Sequence, residues 1–386
     1  MLKKVSLLSI VVVITFLSLG LAKLVFPIGV VTKPDKDGFT PSLDVTGRIQ
    51  MFWDTSFHDT KNSYKDKNSA SLYAHRIRLG VKGEIFKDIH FGLEIRKEPR
   101  IHKAHMTFTH FSFANVWVGF FDIPFNRNYN MTSSGKLLFA DRAYANTSFG
   151  HQRDIGMMLN GNFTEKKVHY WLGVFTGSGD STLTTKASNG DNSYLVVGRL
   201  QFDPMGQWKN GEEWFKKDLK ASFGASVYYT SKTEPGSTGQ GKIFGPITNQ
   251  LKGVMGVTAD FGLNWNILYL EASATYFTAK YFDTTLNPNK PEPSLGVAVD
   301  LAVTVIPKAF LAALRFDMYD AKPLQHDKGT DNKITAASIG ATWYVGSKKH
   351  AMKIQPEFQL QLNKKDSSVS QIVKEKLFRL GFTLNI

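Results

Sequence analysis

The chain contains no cysteine, which excludes disulfides, thiol nucleophiles and thiolate metal sites. After its first 22 positions it has no apolar run of about 18 residues, so no helical membrane span is encoded downstream. Acid is the scarcer charge, with 33 Asp and Glu against 47 Lys and Arg, a formal net charge of +14. That excess favours anionic partners and says nothing about fold. Catalytic motifs are missing too. There is no G-x-S-x-G elbow, and the Gly-rich GSGDST at 177–182 lacks the lysine of a phosphate-binding loop. His102, His105 and His110 share one predicted strand, but His105 points to the opposite face, so no three-histidine metal site is expected. Neither an enzyme nor a cofactor or metal protein is indicated.

What is present begins at the N-terminus. Lys3 and Lys4 precede an uncharged apolar run from Val5 to Leu21, and Gly20 and Ala22 supply small residues before a cut after Ala22. This is the layout of a secretory signal peptide over 1–22, the alternative being an uncleaved anchor.

Beyond a lead-in at 23–43, the sequence alternates apolar and polar residues in one segment after another. Strands are predicted at 44–54, 72–86, 89–98, 102–111, 113–121, 153–163, 167–177, 192–203, 218–230, 251–263, 266–278, 294–306, 310–320, 333–345, 350–362 and 375–386. Most are ten to thirteen residues long, the length of transmembrane strands rather than soluble ones, whose mode is about 5–6 residues. Tight turns at 87–88, 164–166, 264–265, 307–309 and 346–349 alternate with long polar connections at 55–71, 122–152, 178–191, 231–250, 279–293, 321–332 and 363–374. The short connection at 98–102 and the long one at 204–217 break the rule. Long loops on one rim and short turns on the other mark an outer-membrane barrel. The fold class expected is therefore all-β, a transmembrane antiparallel barrel of about sixteen strands over 44–386. Such a sheet must close, because lipid offers no partners for edge N–H and C=O groups.

Parity then sorts side chains between lipid and lumen. In YAHRIRLGVKGEI (73–85), Tyr73, His75, Ile77, Leu79, Val81 and Ile85 are assigned to the oily face, and Arg76, Arg78 and Lys82 to the polar one. The same sorting places Arg48, Arg76, Arg78, Lys82, Arg96, Lys103 and Arg199 on the lumen wall, the first six on neighbouring strands. Rings of Arg and Lys in a pore lower the energy of a passing anion, and guanidinium forks suit phosphate or carboxylate oxygens. Carboxylates at Glu84, Glu94, Asp260, Glu271, Asp300, Asp317 and Glu357 share that face, so pairing with some of these cations is the competing reading. Nucleic acid is not expected as a partner, because the cations interleave with lipid-facing residues on long strands.

The longest connection, 122–152, is expected to fold inward as a constriction. It carries Arg127, Lys136 and Arg142 beside Ser133 and Ser134, with Arg153 just after it, and its apolar LLFA segment, Phe125 and Tyr144 argue for packing against something.

Residues 118–161, VGFFDIPFNRNYNMTSSGKLLFADRAYANTSFGHQRDIGMMLNG, resemble the phosphate-selective porin O and P family. Gly119, Pro124, Phe125, Ser133, Phe139, Arg142, Arg153, Asp154, Gly156 and Gly161 fit its pattern, and YWLGVFTGSGD (170–180) and YLVVGRL (194–200) fit its next blocks. The chain departs from it with Asp141 for the usual Glu, NRNY after PF, and Ile386 for a terminal Phe. The resemblance implies a sixteen-strand porin in the bacterial outer membrane, often assembled as a homotrimer, passing small anionic solutes. Strict phosphate selectivity would need more lysine than the Lys232 and Lys242 found in the 231–250 loop. A non-selective porin, and a barrel plugged by its 122–152 loop and serving structure or adhesion, stay open as alternatives.

Overall fold

A computed structural model describes residues 29–31, 40–58, 68–97, 100–111, 113–147, 152–177, 194–211, 216–231, 251–281, 292–320, 333–346, 350–365 and 372–385. The expected signal peptide at 1–22 lies outside these residues. Seventeen strands lie among these described residues. They are β1 (Gly29–Val31), β2 (Ser42–His58), β3 (Ser69–Phe86), β4 (Ile89–Arg96), β5 (Arg100–Phe111), β6 (Ala114–Asp122), β7 (Arg153–Phe163), β8 (Val168–Phe175) and β9 (Leu195–Phe202). The second half comprises β10 (Lys220–Thr230), β11 (Leu251–Trp265), β12 (Leu268–Tyr281), β13 (Glu292–Ile306), β14 (Phe310–Asp320), β15 (Lys333–Val345), β16 (Met352–Lys365) and β17 (Ile372–Asn385). All sixteen expected strands are found, with the largest end shift at β2, which runs on to His58.

Strands β2 to β17 each pair antiparallel with their sequence neighbours, and β17 returns to β2 along a register from Glu375↔His58 to Asn385↔Arg48. The sheet is thus a closed barrel of sixteen strands. The short β1 falls within the lead-in and was not expected. It pairs with Ser42 to Asp44 of β2, on the edge that β17 leaves free below Arg48.

Burial is inverted relative to a soluble protein. Leu172 is 56% exposed, Val174 57% and Leu200 62%, whereas Arg199 beside them is 1% exposed. An exposed apolar band around a closed barrel requires a lipid surround, since monomeric soluble proteins seldom expose so large an apolar patch.

One register shift overturns an expectation. Gln50 opposes Arg76 but Met51 opposes Ala74, so His75 is an extra, bulged residue in β3. A bulge reverses the alternation of everything beyond it. Tyr73 therefore stands opposite Phe52 and its hydroxyl donates to Asp54 Oδ2 at 2.9 Å, while the His75 ring stacks on Phe52 at 4.2 Å. Both belong to the lumen, not to the oily face to which strict alternation assigned them.

Candidate functional site

The segment between β6 and β7 folds into the lumen, held by its own polar residues and by the wall. The Asn126 side chain accepts from the Tyr129 N–H, and the Asn126 N–H donates to Asn130 Oδ1, both at 2.9 Å, closing a short helical turn over Arg127–Met131. Asn and Thr side chains readily satisfy loop backbone in this way. Arg142 clamps the other end of that turn by donating to the carbonyls of Asn128 (3.0 Å) and Thr132 (2.6 Å). Burial, and Arg76 close by, push the Arg142 guanidinium down to about 10, so it remains cationic at neutral pH.

Apolar packing fixes this loop to one side of the barrel. Ile123, Phe125, Ala143 and Ala145 pack with Phe175, Leu195, Val197, Tyr228 and Phe277 of the wall. Leu138 and Phe139 pack with Trp208, Tyr269, Leu311 and Tyr344. The expected packing of the LLFA segment is therefore real. Burying Ile123, Phe125, Leu137, Leu138 and Phe139 stabilises the inward fold by on the order of 10 kcal/mol at about 2 kcal/mol each.

Polar anchors lie between the apolar ones. Arg127 and Arg199 share the carboxylate of Asp260, with Arg127 Nε 2.7 Å from Oδ1 and Arg199 NH1 2.6 Å from Oδ2. Arg199 also donates to the Phe125 carbonyl at 3.1 Å. Asp317 accepts the backbone N–H groups of Tyr144 and, at 2.8 Å, Ala145. Lys353 and Gln355 donate to the Leu137 carbonyl at 2.9 and 3.2 Å. Lys136 reaches the 203–219 turn, where a Cβ on Gly211 would lie 2.5 Å from its own. The loop thus descends almost to the short-turn rim.

These contacts correct part of the sequence assignment. Arg199 is not a free pore-lining cation and Arg127 is not at an aperture; both are fully buried charges that bind loop to wall. Arg153 belongs to β7 rather than to the loop, and its NH1 lies 3.1 Å from His102 Nε2 and 3.7 Å from Asp122. Lys82 sits near the short-turn end, 3.9 Å from Asp44.

The rest of the set lies on β2 to β5, where the loop meets the wall through Ser133, Ser134 and Asp141. Register places Arg48 directly opposite Arg78, and Arg78 directly opposite Arg96. Three arginines thus stand in one row across β2, β3 and β4, where like charges side by side are intrinsically unfavourable. Around the row, Arg76 pairs with Asp141 at 2.8 Å, Arg78 with Glu94 at 3.4 Å, and Lys103 with Asp122. Arg48 is held by neutral oxygens instead: Asn385 Oδ1 at 2.6 Å and the hydroxyls of Ser133 and Ser134, both at 2.9 Å. Glu84, which shares the polar face of β3, meets His90 at 3.4 Å. Water reaches part of this wall, with Arg78 13% and Lys103 31% exposed, although Gln50 beneath the loop is 0% exposed, as are Thr258 and Lys353 on the opposite side.

Asp141 is the hinge between loop and open wall. It lies 2.8 Å from Arg76, 3.4 Å from His75 and 3.8 Å from Arg379, while its carbonyl accepts from Arg315 at 2.9 Å. Burial alone would raise its carboxyl, but Arg76, then His75 and Arg379, outweigh that and hold it well below the usual carboxylate range. Sequence reading missed this role, and it missed Asp54, whose two oxygens each accept from Arg379 at 2.8 Å across the β2–β17 seam. Partners more than 300 positions apart leave no spacing signal.

A closed antiparallel barrel with an apolar outer band and an inward-folded loop between its fifth and sixth barrel strands is a porin-type barrel. Residues 43–290, close to two thirds of the chain, match the profile of the phosphate-selective porin O and P family, and the chain belongs to it. It is an outer-membrane porin, and its family and fold are those of channels. Among solved structures it is similar to an anion-selective porin from Comamonas acidovorans, at 11% identity and a TM-score of 0.60 over 90% of this chain and 100% of that one. It is also similar to the outer membrane channel DcaP of Acinetobacter baumannii (13% identity, TM-score 0.56, 92% and 100% covered). A trimer form of OmpT from Vibrio cholerae aligns at 12% identity and a TM-score of 0.50 over 90% of this chain and 99% of that one. No curated protein sequence matches the chain.

Proposed function

We propose that this porin passes small hydrophilic anions by passive diffusion between the β2–β6 wall and the inward loop. The row Arg48–Arg78–Arg96 carries this reading. With Arg76, Lys103 and Arg142 it sets six cations against the carboxylates Glu94, Asp122 and Asp141, on the side of the lumen that water reaches, with Arg153 buried behind them beside Asp122. An anion entering there replaces part of its hydration shell with guanidinium N–H groups, while a cation meets net repulsion. Ser133, Ser134 and Lys136 belong to the constriction in this reading, and Lys82 to the wall nearer the short turns.

Phosphate fits such a path as one small oxyanion among several. Direct carboxylate partners on Arg76, Arg78 and Lys103 temper the field, which favours general anion preference over strict phosphate selectivity. Family resemblance and the trimer form of the OmpT relative support a homotrimer as the working assembly. Export by cleavage after Ala22, a lead-in at 23–43 and a barrel domain over 44–386 complete the proposal.

Reversal potentials in a planar bilayer under a KCl gradient test it. An anion-selective potential is expected. A cation-selective one overturns the reading, and a folded barrel with no conductance would instead favour a lumen plugged by the loop.

A further inference from the structure

The rim of short turns carries a basic collar that the pore does not use. Lys87 lies in the β3–β4 turn, Lys166 and Lys167 in the β7–β8 turn, and Lys308 in the β13–β14 turn. Lys87, Lys166 and Lys308 are exposed, and none of the three is in an ion pair among the described residues. Lys166 and Lys308 sit at φ of 65° and 64°, a left-handed conformation that turn geometry ordinarily gives to Gly or Asn. The fold itself therefore does not ask for lysine at these tips. Asp88 and Glu165 share the same turns, but Asp88 is engaged by His110 at 2.9 Å.

Directly inside the collar runs a girdle of exposed, mostly aromatic side chains at the strand ends: Phe86 (59%), Phe163 (52%), Trp265 (60%), Ile306 (55%) and Trp343 (54%). Such a girdle marks the depth of the membrane–water interface, and the short-turn rim is the periplasmic one. Lysines one to three residues beyond it stand at headgroup height, where their stems lie along the apolar surface and their ammonium groups meet phosphate.

We propose that this collar binds the anionic phosphodiester headgroups of phospholipids in the periplasmic leaflet. The inference stands apart from what the lumen conducts, because the collar lies outside the barrel wall. Charge complementarity at headgroup depth favours a lipid over a protein partner, which would leave the girdle beneath it unmatched.

Native mass spectrometry of the full-length barrel in detergent, titrated with phosphatidylglycerol or phosphatidylcholine, tests the proposal. The wild type should bind phosphatidylglycerol at least about fivefold more tightly, the effect of a single well-placed lysine. Lys87→Gln, Lys166→Gln and Lys308→Gln together should abolish that preference while leaving bilayer conductance unchanged. If the triple variant does not fold, salt on the wild type supplies the second measurement, since the preference should vanish near 1 M, where the screening length is about 3 Å. Equal binding of the two lipids by the wild type, a preference that survives the triple variant, or one indifferent to salt overturns the proposal.

Discussion

Arg48 on β2 and Arg78 on β3 stand directly opposite each other in the barrel register, with Arg96 next to Arg78 on β4. Two guanidinia at this spacing repel, and the arrangement persists because Arg78 has Glu94 at 3.4 Å and Arg48 has the oxygens of Asn385, Ser133 and Ser134. The loop therefore completes the row as well as narrowing the lumen, by supplying two of the three oxygens that hold its first member.

Removing the middle of the row should weaken anion preference without unfolding the barrel. Arg78→Ala is expected to lower the anion-to-cation permeability ratio by a factor of about two to five, the effect of losing one partly exposed charge worth about 0.5–1 kcal/mol. Arg76→Ala with Arg78→Ala should go further. An unchanged reversal potential in the double variant would show that this stripe is not the filter.

Gly135 is a glycine by close approach. A Cβ there would lie 2.6 Å from Asn385 Oδ1 and 2.8 Å from Arg48 Nε, and both are ends of flexible side chains that can shift. Gly135→Ala should therefore alter selectivity, by displacing the Arg48 guanidinium, and cost about 1 kcal/mol in stability, the loss of one hydrogen bond. Paired measurements of reversal potential and thermal midpoint separate the two effects.

Asp260 shares its one negative charge between two fully buried arginines, Arg127 of the loop and Arg199 of β9. Asp260→Ala removes the carboxylate directly bonded to both cations and should destabilise the loop-filled state by about 3–5 kcal/mol. Urea unfolding in detergent measures the loss. Protease cleavage within the 123–152 segment, absent in the wild type, would show that the loop itself has been released.

The Asp141 latch should be insensitive to mild acid. Its carboxyl is depressed in the folded protein, so its contribution is fully present above the unfolded value of about 3.9 and is lost only as pH falls through the lower folded value. The difference in single-channel current noise between the wild type and Asp141→Asn should accordingly stay constant from pH 7 down to about pH 4. Asp141→Asn should raise that noise at neutral pH, because an amide cannot hold Arg76 and Arg379 together. A difference between the two proteins that already shrinks at pH 6 would contradict the assignment.

Much of this protein is legible in one dimension. Period-two alternation locates all sixteen barrel strands, since a strand between lipid and lumen must alternate to satisfy both. Connection lengths assign the rims, and the apolar LLFA stretch inside a polar loop already signals that the loop is packed. Arg48, Arg76, Arg78, Arg96 and Lys103 can be placed on one side of the wall because they lie on consecutive strands, and consecutive antiparallel strands are neighbours.

Tertiary structure decided the rest. Arg48 and Arg199 look alike in the sequence, both cations at lumen positions. One remains on a wall that water partly reaches, and the other is buried against Asp260, because the apolar residues of the loop pack on β8 to β15, whereas at β2 and β3 the loop meets the wall through Ser133, Ser134 and Asp141. Alternation alone could not reveal the bulge at His75, where one extra residue turns Tyr73 inward. The seam pairs Asp54–Arg379 and Arg48–Asn385 exist only because the barrel closes. Alternation is a local demand of a strand that separates lipid from water, so the sequence by itself determined the barrel. Which cation keeps its charge for a passing solute depends on partners brought together by closure and by the folded-in loop, and only the three-dimensional structure sets those.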